Sequence, residues 1–290
     1  MDKRVDKSDL FERMPVKRAV LKQIVPTIVG QMIVLIYNLA DTYFVGLLNE
    51  PRQTAAVTVV GPIFVMLTAV SNLFAVGGAS VMAHALGTKD EQRARQVSAL
   101  AFWGGLFAAV VFSALFFALA SPILRLCGAT DETYALAFGY AKWVVVFGGA
   151  GTILNLLLGN LVRAEGGATA AALGVALGGV CNIVLDPLFV LPQFLDMGAE
   201  GAGAATAISN MLSALFFIAY VLIKRRRTVV CLSPACLRGA GRYLKNVLSI
   251  GFPSCVQYAL TVVAAAALSK FVSGYETEAV AALGIVKKLD

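Results

Sequence analysis

Two carboxylates stand in stretches of this chain that are otherwise almost free of charge. One is Asp186, within Asn182-Ile183-Val184-Leu185-Asp186-Pro187; the other is Asp41, within Tyr37-Asn38-Leu39-Ala40-Asp41. Asn182 and Asp186 are four residues apart, which puts them on one face of a helix, and Tyr37 and Asn38 precede Asp41 by four and three residues, again on its face. An ionisable group at membrane depth is costly and marks a functional site whose partner must be found. Paired carboxylates raise one another's proton affinity, and Asp oxygens with Asn carbonyl and hydroxyl oxygens are what a hard monovalent cation accepts in place of water. The chemistry on offer is reversible binding of H⁺ or Na⁺. A plainer reading stands beside it: Asp41 interfacial at an outer helix end, Asp186 capping a helix that Pro187 ends, and Asn182 making an interhelical hydrogen bond.

The elements that must position these groups are membrane spans. Of 290 residues 59% are hydrophobic and 14% charged, against about 45–50% and about 25% in ordinary soluble domains. A spanning helix takes about 20 apolar residues. Seven runs qualify: Ile24 to Leu47, Ala55 to Ala83, Val97 to Ala120, Tyr134 to Leu161, Ala168 to Leu191, Gly201 to Ile223 and Val247 to Phe271; an eighth begins near Ala279. Gly61-Pro62 and Pro253 lie inside runs and predict kinks. The charged stretch Met1 to Lys22 precedes a run too long for a signal peptide, so the first span is retained.

Lys and Arg orient the bundle. With the N-terminus in the cytoplasm, the inner segments carry eighteen of them and the outer loops only Arg52 and Arg125. The net charge of +7 is thereby spent on topology and gives no reason to expect nucleic acid. Asp41 lies about 26 Å along its span and Asp186 about 27 Å along its own, at 1.5 Å per residue, and both spans run outward. The two acids therefore share a level in the outer half.

The longest connection, 224–246, opens with Lys224-Arg225-Arg226-Arg227, most simply a topology anchor touching anionic lipid. The chain beyond this connection resembles a second beginning: Gly251-Phe252-Pro253-Ser254-Cys255-Val256-Gln257 opens the seventh span much as Ile24 to Gln31 opens the first. The expected domains are a cytoplasmic segment 1–23, a six-helix N-lobe 24–223, a basic inter-lobe loop 224–246 and the start of a C-lobe 247–290. The five cysteines are an odd number without a CxxC pair, so free thiols and no metal are expected. His84 reads as a loop or headgroup contact rather than a proton relay, the glycine pairs 77–78 and 148–149 as close helix packing, and Trp103 and Trp143 as packing.

Several stretches together carry a family resemblance: Pro26 with Asp41-Thr42-Tyr43-Phe44-Val45-Gly46; Leu86-Gly87-Thr88-Lys89-Asp90; Leu161-Val162-Arg163-Ala164-Glu165-Gly166; Asn182 to Pro187; and Gly201-Ala202-Gly203-Ala204-Ala205-Thr206. In this order the chain resembles the multidrug and toxic compound extrusion (MATE) family of cation-coupled efflux transporters. The resemblance implies that Asp41 is the acid of the first span and that Asn182 and Asp186 are the cation site of the fifth, with Tyr37, Asn38, Tyr140 and Thr206 lining the same cavity and Pro26 acting as a hinge. It implies an all-α polytopic bundle in the inner (plasma) membrane with the N-terminus cytoplasmic, of which this chain holds one six-helix lobe, a seventh span and part of an eighth out of twelve.

The expected function is H⁺- or Na⁺-coupled antiport of lipophilic, often cationic drugs, with no cofactor and no metal beyond Na⁺ at Asp41, Asn182 and Asp186. The short length raises the expectation of a truncated chain, inactive alone, or of a half-transporter that needs a partner for the missing C-lobe. The alternatives are a flippase for lipid-linked oligosaccharides and a non-transport membrane protein. A flippase would line its cavity with cations for phosphate, whereas Lys142 is the single mid-span cation in the lobe. A membrane enzyme ranks last, since neither HExxH nor GxSxG occurs and there is one histidine.

Overall fold

The structure is a computed structural model that describes residues 15–48 and 50–272. The described residues form helices joined by short turns: α1 (Val16–Gly46), α2 (Pro51–Gly87), α3 (Glu91–Ala118), the short α4 (Ala120–Leu126), α5 (Asp131–Ala141), a π-helical turn (Lys142–Phe147), α6 (Gly149–Ala164), α7 (Ala168–Val190), α8 (Gly198–Ile223), two 3₁₀ turns and α9 (Leu244–Val272). Six of the helices are long and apolar enough to cross a membrane. The pair Asp131–Phe147 and Gly149–Ala164 makes a seventh, bent by 50°. This is the all-α polytopic bundle expected; the eighth run falls outside the described residues.

Among the described residues, the broken span is not interrupted at a proline. Pro26, Pro62 and Pro253 all lie within unbroken helices. The break comes at Gly148, after the π turn. A Cβ at Gly148 would lie 2.7 Å from the Cβ of Ala207, and one at Gly149 would lie 2.9 Å from Ser113 Oγ. Close approach of α8 and α3 thus sets the bend, with extra backbone accommodated by the π turn.

Caps and charges fix the helix ends. Asp90 accepts from Arg93 N at 2.9 Å at the start of α3. Thr130 and Thr133 form a reciprocal box at the start of α5, where Asp131 and Glu132 complement the dipole. Arg52 reaches Glu132 at 3.2 Å, linking the first turns of α2 and α5.

In lipid there is little hydrophobic drive between helices, so packing rests on small residues and buried polar bonds. The core has two main clusters. One, around Val81, Val97, Leu157, Leu161, Phe217 and Val230, lies at the end where the basic residues concentrate. The other, around Val45, Val60, Phe116, Leu124, Tyr140 and Val190, lies at the opposite end. Polar contacts cross between them: Ser213 Oγ lies 2.7 Å from both Asn155 Oδ1 and the Gly174 carbonyl, with its one proton available to either, and Asn155 Nδ2 donates to Asn210 Oδ1 at 2.9 Å.

The segment 224–243 is bonded to the bundle along its length. Thr228 Oγ1 and Val229 N donate to the Glu165 carboxylate at 2.7 and 3.0 Å. Cys231 N donates to Ser98 Oγ at 3.0 Å, and Trp103 Nε1 donates to the Leu232 carbonyl at 3.2 Å. Gln96 Nε2 donates to the Arg238 carbonyl at 2.9 Å. One cysteine expectation is corrected here: Cys231 and Cys236 form a disulfide, while Cys127, Cys181 and Cys255 are free. The 3₁₀ turn Pro234–Leu237, opened by Ser233 accepting from Ala235 N, folds the chain back and brings the two sulfurs together without a CxxC spacing.

α9 packs on α2 through reciprocal glycines: a Cβ at Gly251 would strike the Leu73 carbonyl, and one at Gly77 the Val247 carbonyl. Gly251→Val should therefore cost about 1–3 kcal/mol by overpacking. Thermal unfolding in detergent should show a lowered midpoint for Gly251→Val and none for Phe252→Val, whose side chain is 62% exposed. Equal midpoints for the two variants would remove this contact as a determinant of α9 docking.

Candidate functional site

The two acids meet between α1, α7 and α8, with the C-terminal end of α5 against them. α1 docks chiefly along α7 through small residues. Gly30 faces Ala172, and a Cβ at Gly179 would lie 2.7 Å from Ile33 Cγ2 and 3.1 Å from Tyr37 Cδ1. Substituting this glycine would push Tyr37, and with it the face that carries Asp41, away from α7. The other side of α1 is open, with Ile28, Met32 and Ile36 each more than half exposed.

Asp186 is fully buried and Asn182 nearly so. Asn182 Nδ2 donates to Asp186 Oδ1 at 3.2 Å and to Thr206 Oγ1 of α8 at 3.4 Å. Asp186 Oδ2 and Asn182 Oδ1 are buried with no hydrogen-bond partner. Two buried oxygens without donors are expensive in a low-dielectric interior. They form an acceptor-only cluster, the donor set that suits a proton or a hard monovalent cation. Pro187 does not end the helix: α7 runs on to Val190, where Leu191 N closes on the Pro187 carbonyl at 3.3 Å. Asp186 is thus an interior residue and not a cap, which removes the plainer reading of that acid.

Asp41 is half-buried on α1 and close enough to interact electrostatically with Asp186, Tyr37 and Tyr140. Tyr140 is buried at the end of α5, just before the π turn. Gly203 of α8 makes room for it, since a Cβ there would lie 2.8 Å from the Tyr140 carbonyl and 3.2 Å from its ring. The structure thus gathers Asp41, Tyr37, Tyr140, Asn182, Asp186 and Thr206. Asn38 is exposed on α1, and Pro26 lies four turns away toward the other end of the helix.

Other polar groups that tie the bundle together carry no signal in the sequence. Glu165, which stands there only as part of a motif, is 3% exposed and holds the 224–243 segment. Trp143 is anchored by donating from Nε1 to Glu200 Oε1 at 2.9 Å, joining the π turn to α8. Gln53 Oε1 accepts from Ala199 N at 2.8 Å, fixing the start of α8 to α2. A lone Glu or Gln at a span end has no local signature that separates these roles from solvation. Lys142 is not part of the acid cluster: its Nζ stands over the Phe147 ring at 5.7 Å.

Known proteins share this fold. The MatE family model matches residues 26–188. The multidrug export protein MepA of Staphylococcus saprophyticus is 30% identical over 279 residues, 96% of this chain and 61% of that protein. A multidrug resistance MATE family transporter of the MOP superfamily, solved in an outward-facing conformation, superposes with a TM-score of 0.82 at 29% identity, over 93% of this chain and 58% of that one. A MOP superfamily transporter from Pyrococcus furiosus, whose reversed pocket polarity suggests a different function for it, gives 0.88 at 27% identity, over 99% and 63%. The chain thus spans about three fifths of the length of these relatives.

Proposed function

The chain belongs to the MatE family, and on that premise we propose that it forms the coupling half of a cation-driven exporter of lipophilic, often cationic drugs. The observation that carries this reading is the buried acceptor cluster of Asp186, Asn182 and Thr206 beside Asp41. H⁺ or Na⁺ entering it neutralises charge that the bundle otherwise holds at a cost. The ion can bias which side of the cavity is open only through its different affinity for the two states. In this reading α1 is the moving element. It is held mainly by α7, carries Asp41 on the packed face, and contains Pro26, which withholds a helix hydrogen bond and makes that turn a hinge.

The proposed setting is the plasma membrane with the N-terminus inside, as the Lys and Arg distribution favours, and with the exposed apolar faces of the spans against lipid. The remaining wall of the cavity is proposed to come from a second lobe. A lipid-linked sugar flippase is less favoured: the site is built of acids, an amide, a hydroxyl and phenols, and the mid-span cation Lys142 is engaged by an aromatic ring. No bond-making step is assigned to any residue.

The test is efflux of a fluorescent lipophilic cation from vesicles holding the product of the natural gene, with Na⁺ and pH gradients imposed separately. One gradient is expected to drive accumulation against the dye gradient, and collapsing it with the matching ionophore should stop it. Transport indifferent to both gradients, or none under either, would overturn the coupled-exporter reading.

A further inference from the structure

A second cavity lies far from the acid cluster, where α8 ends and the basic segment begins. Its volume is about 720 Å³ and its walls differ in character. Val221, Leu222 and Val230 form an apolar side, while Arg95, Arg225 and Arg226 supply cations. The three arginines are exposed, and no carboxylate among the described residues pairs with any of them. Arg95 comes from the first turns of α3, so the cations converge from two separate elements.

The position decides what such a cavity can hold. Leu222 and Ile223 are 57% and 82% exposed in the last turn of α8, on the apolar side of the boundary, and Lys224 to Arg227 follow at once. This is the depth at which an acyl chain gives way to a headgroup. A free phosphate would need the guanidinium groups but not the apolar wall. An amphiphile with an anionic head uses both, because guanidinium pairs bind phosphate through parallel charge-assisted hydrogen bonds. The far wall is also built in advance. Cys231 is held by Ser98 at 3.0 Å and Leu232 by Trp103 at 3.2 Å, so both residues line the cavity from bonded positions.

We infer that this cavity is a binding site for the phosphate headgroup of an anionic phospholipid, with its tail along Val221 and Leu222. Such a site differs from a general attraction of basic loops to anionic membranes, because it depends on which arginines remain and not on how many.

Native mass spectrometry of the full chain released from nanodiscs tests it. Discs of phosphatidylglycerol, discs of phosphatidylcholine, and phosphatidylcholine discs with added inorganic phosphate form the arms. The wild type is expected to retain phosphatidylglycerol at least about tenfold more than phosphatidylcholine, with no phosphate adduct in the third arm. Arg225→Gln/Arg226→Gln, and separately Arg95→Gln, should reduce that preference to under about twofold. Lys224→Gln/Arg227→Gln removes the same charge as the first double variant from residues that do not line the cavity, and should leave the preference intact. Equal loss in the two double variants would overturn the site in favour of diffuse attraction. A phosphate adduct in the third arm that Arg95→Gln abolishes would overturn the lipid in favour of a soluble anion.

Discussion

Asp186→Asn is expected to abolish gradient-driven efflux while leaving the bundle folded. The substitution is nearly isosteric, and the side-chain oxygen that accepts from Asn182 Nδ2 at 3.2 Å has a counterpart in the amide. It removes what the proposed mechanism needs with either ion, a carboxylate whose negative charge binds H⁺ or Na⁺ and is offset by it. Asparagine is permanently neutral, so the cluster keeps the charge balance of the ion-loaded state whether the ion is bound or not. Coupling free energies between sites are typically 1–3 kcal/mol, or about 5–150-fold, so transport against a gradient should fall to background while binding of the dye persists. Asp41→Asn should act in the same direction. The measurement is the vesicle efflux assay with the gradient that drives the wild type, read alongside dye binding by fluorescence anisotropy. Coupled efflux at wild-type rates in Asp186→Asn would mean that the acid cluster is structural.

The parts of this molecule that could be read from its sequence are those whose cause is local. Seven spans were legible because length and apolar content alone decide whether a helix can cross a bilayer. Asp41 and Asp186 stood out because a charge in an apolar run is costly at membrane depth. Thr206 and Tyr140 did not stand out: a hydroxyl or phenol in a span is ordinary, and only the family resemblance pointed to them. The bend at Gly148 was invisible because it depends on Ala207 and Ser113, which approach from other helices. The Cys231–Cys236 bond was missed for a related reason, since the turn at Ser233-Pro234 closes a spacing that carries no motif.

Glu165 is the most consequential of the unread residues, and replacing it should produce the largest loss of stability among single changes at the basic end of the bundle. Gly166, at φ +91°, turns the chain just after α6 in a conformation glycine tolerates, leaving the Glu165 side chain under the 224–243 segment. There one carboxylate oxygen accepts from Thr228 Oγ1 and Val229 N, and Thr228 Oγ1 in turn accepts from Val230 N at 3.2 Å. Glu165→Ala leaves a buried hydroxyl and a largely buried amide without an acceptor, at about 1–3 kcal/mol each. Glu165→Gln keeps one oxygen able to take that position and should cost less. The segment carries Lys224 to Arg227, so its release can be read directly: limited trypsin digestion should cut there several-fold faster in Glu165→Ala, with Glu165→Gln in between. Because Val230, Cys231 and Leu232 form one wall of the arginine-lined cavity, the alanine variant should also lose that cavity's lipid preference although every arginine remains. Unchanged cleavage in Glu165→Ala would show that the bonds from Ser98, Trp103 and Gln96 hold the segment without it.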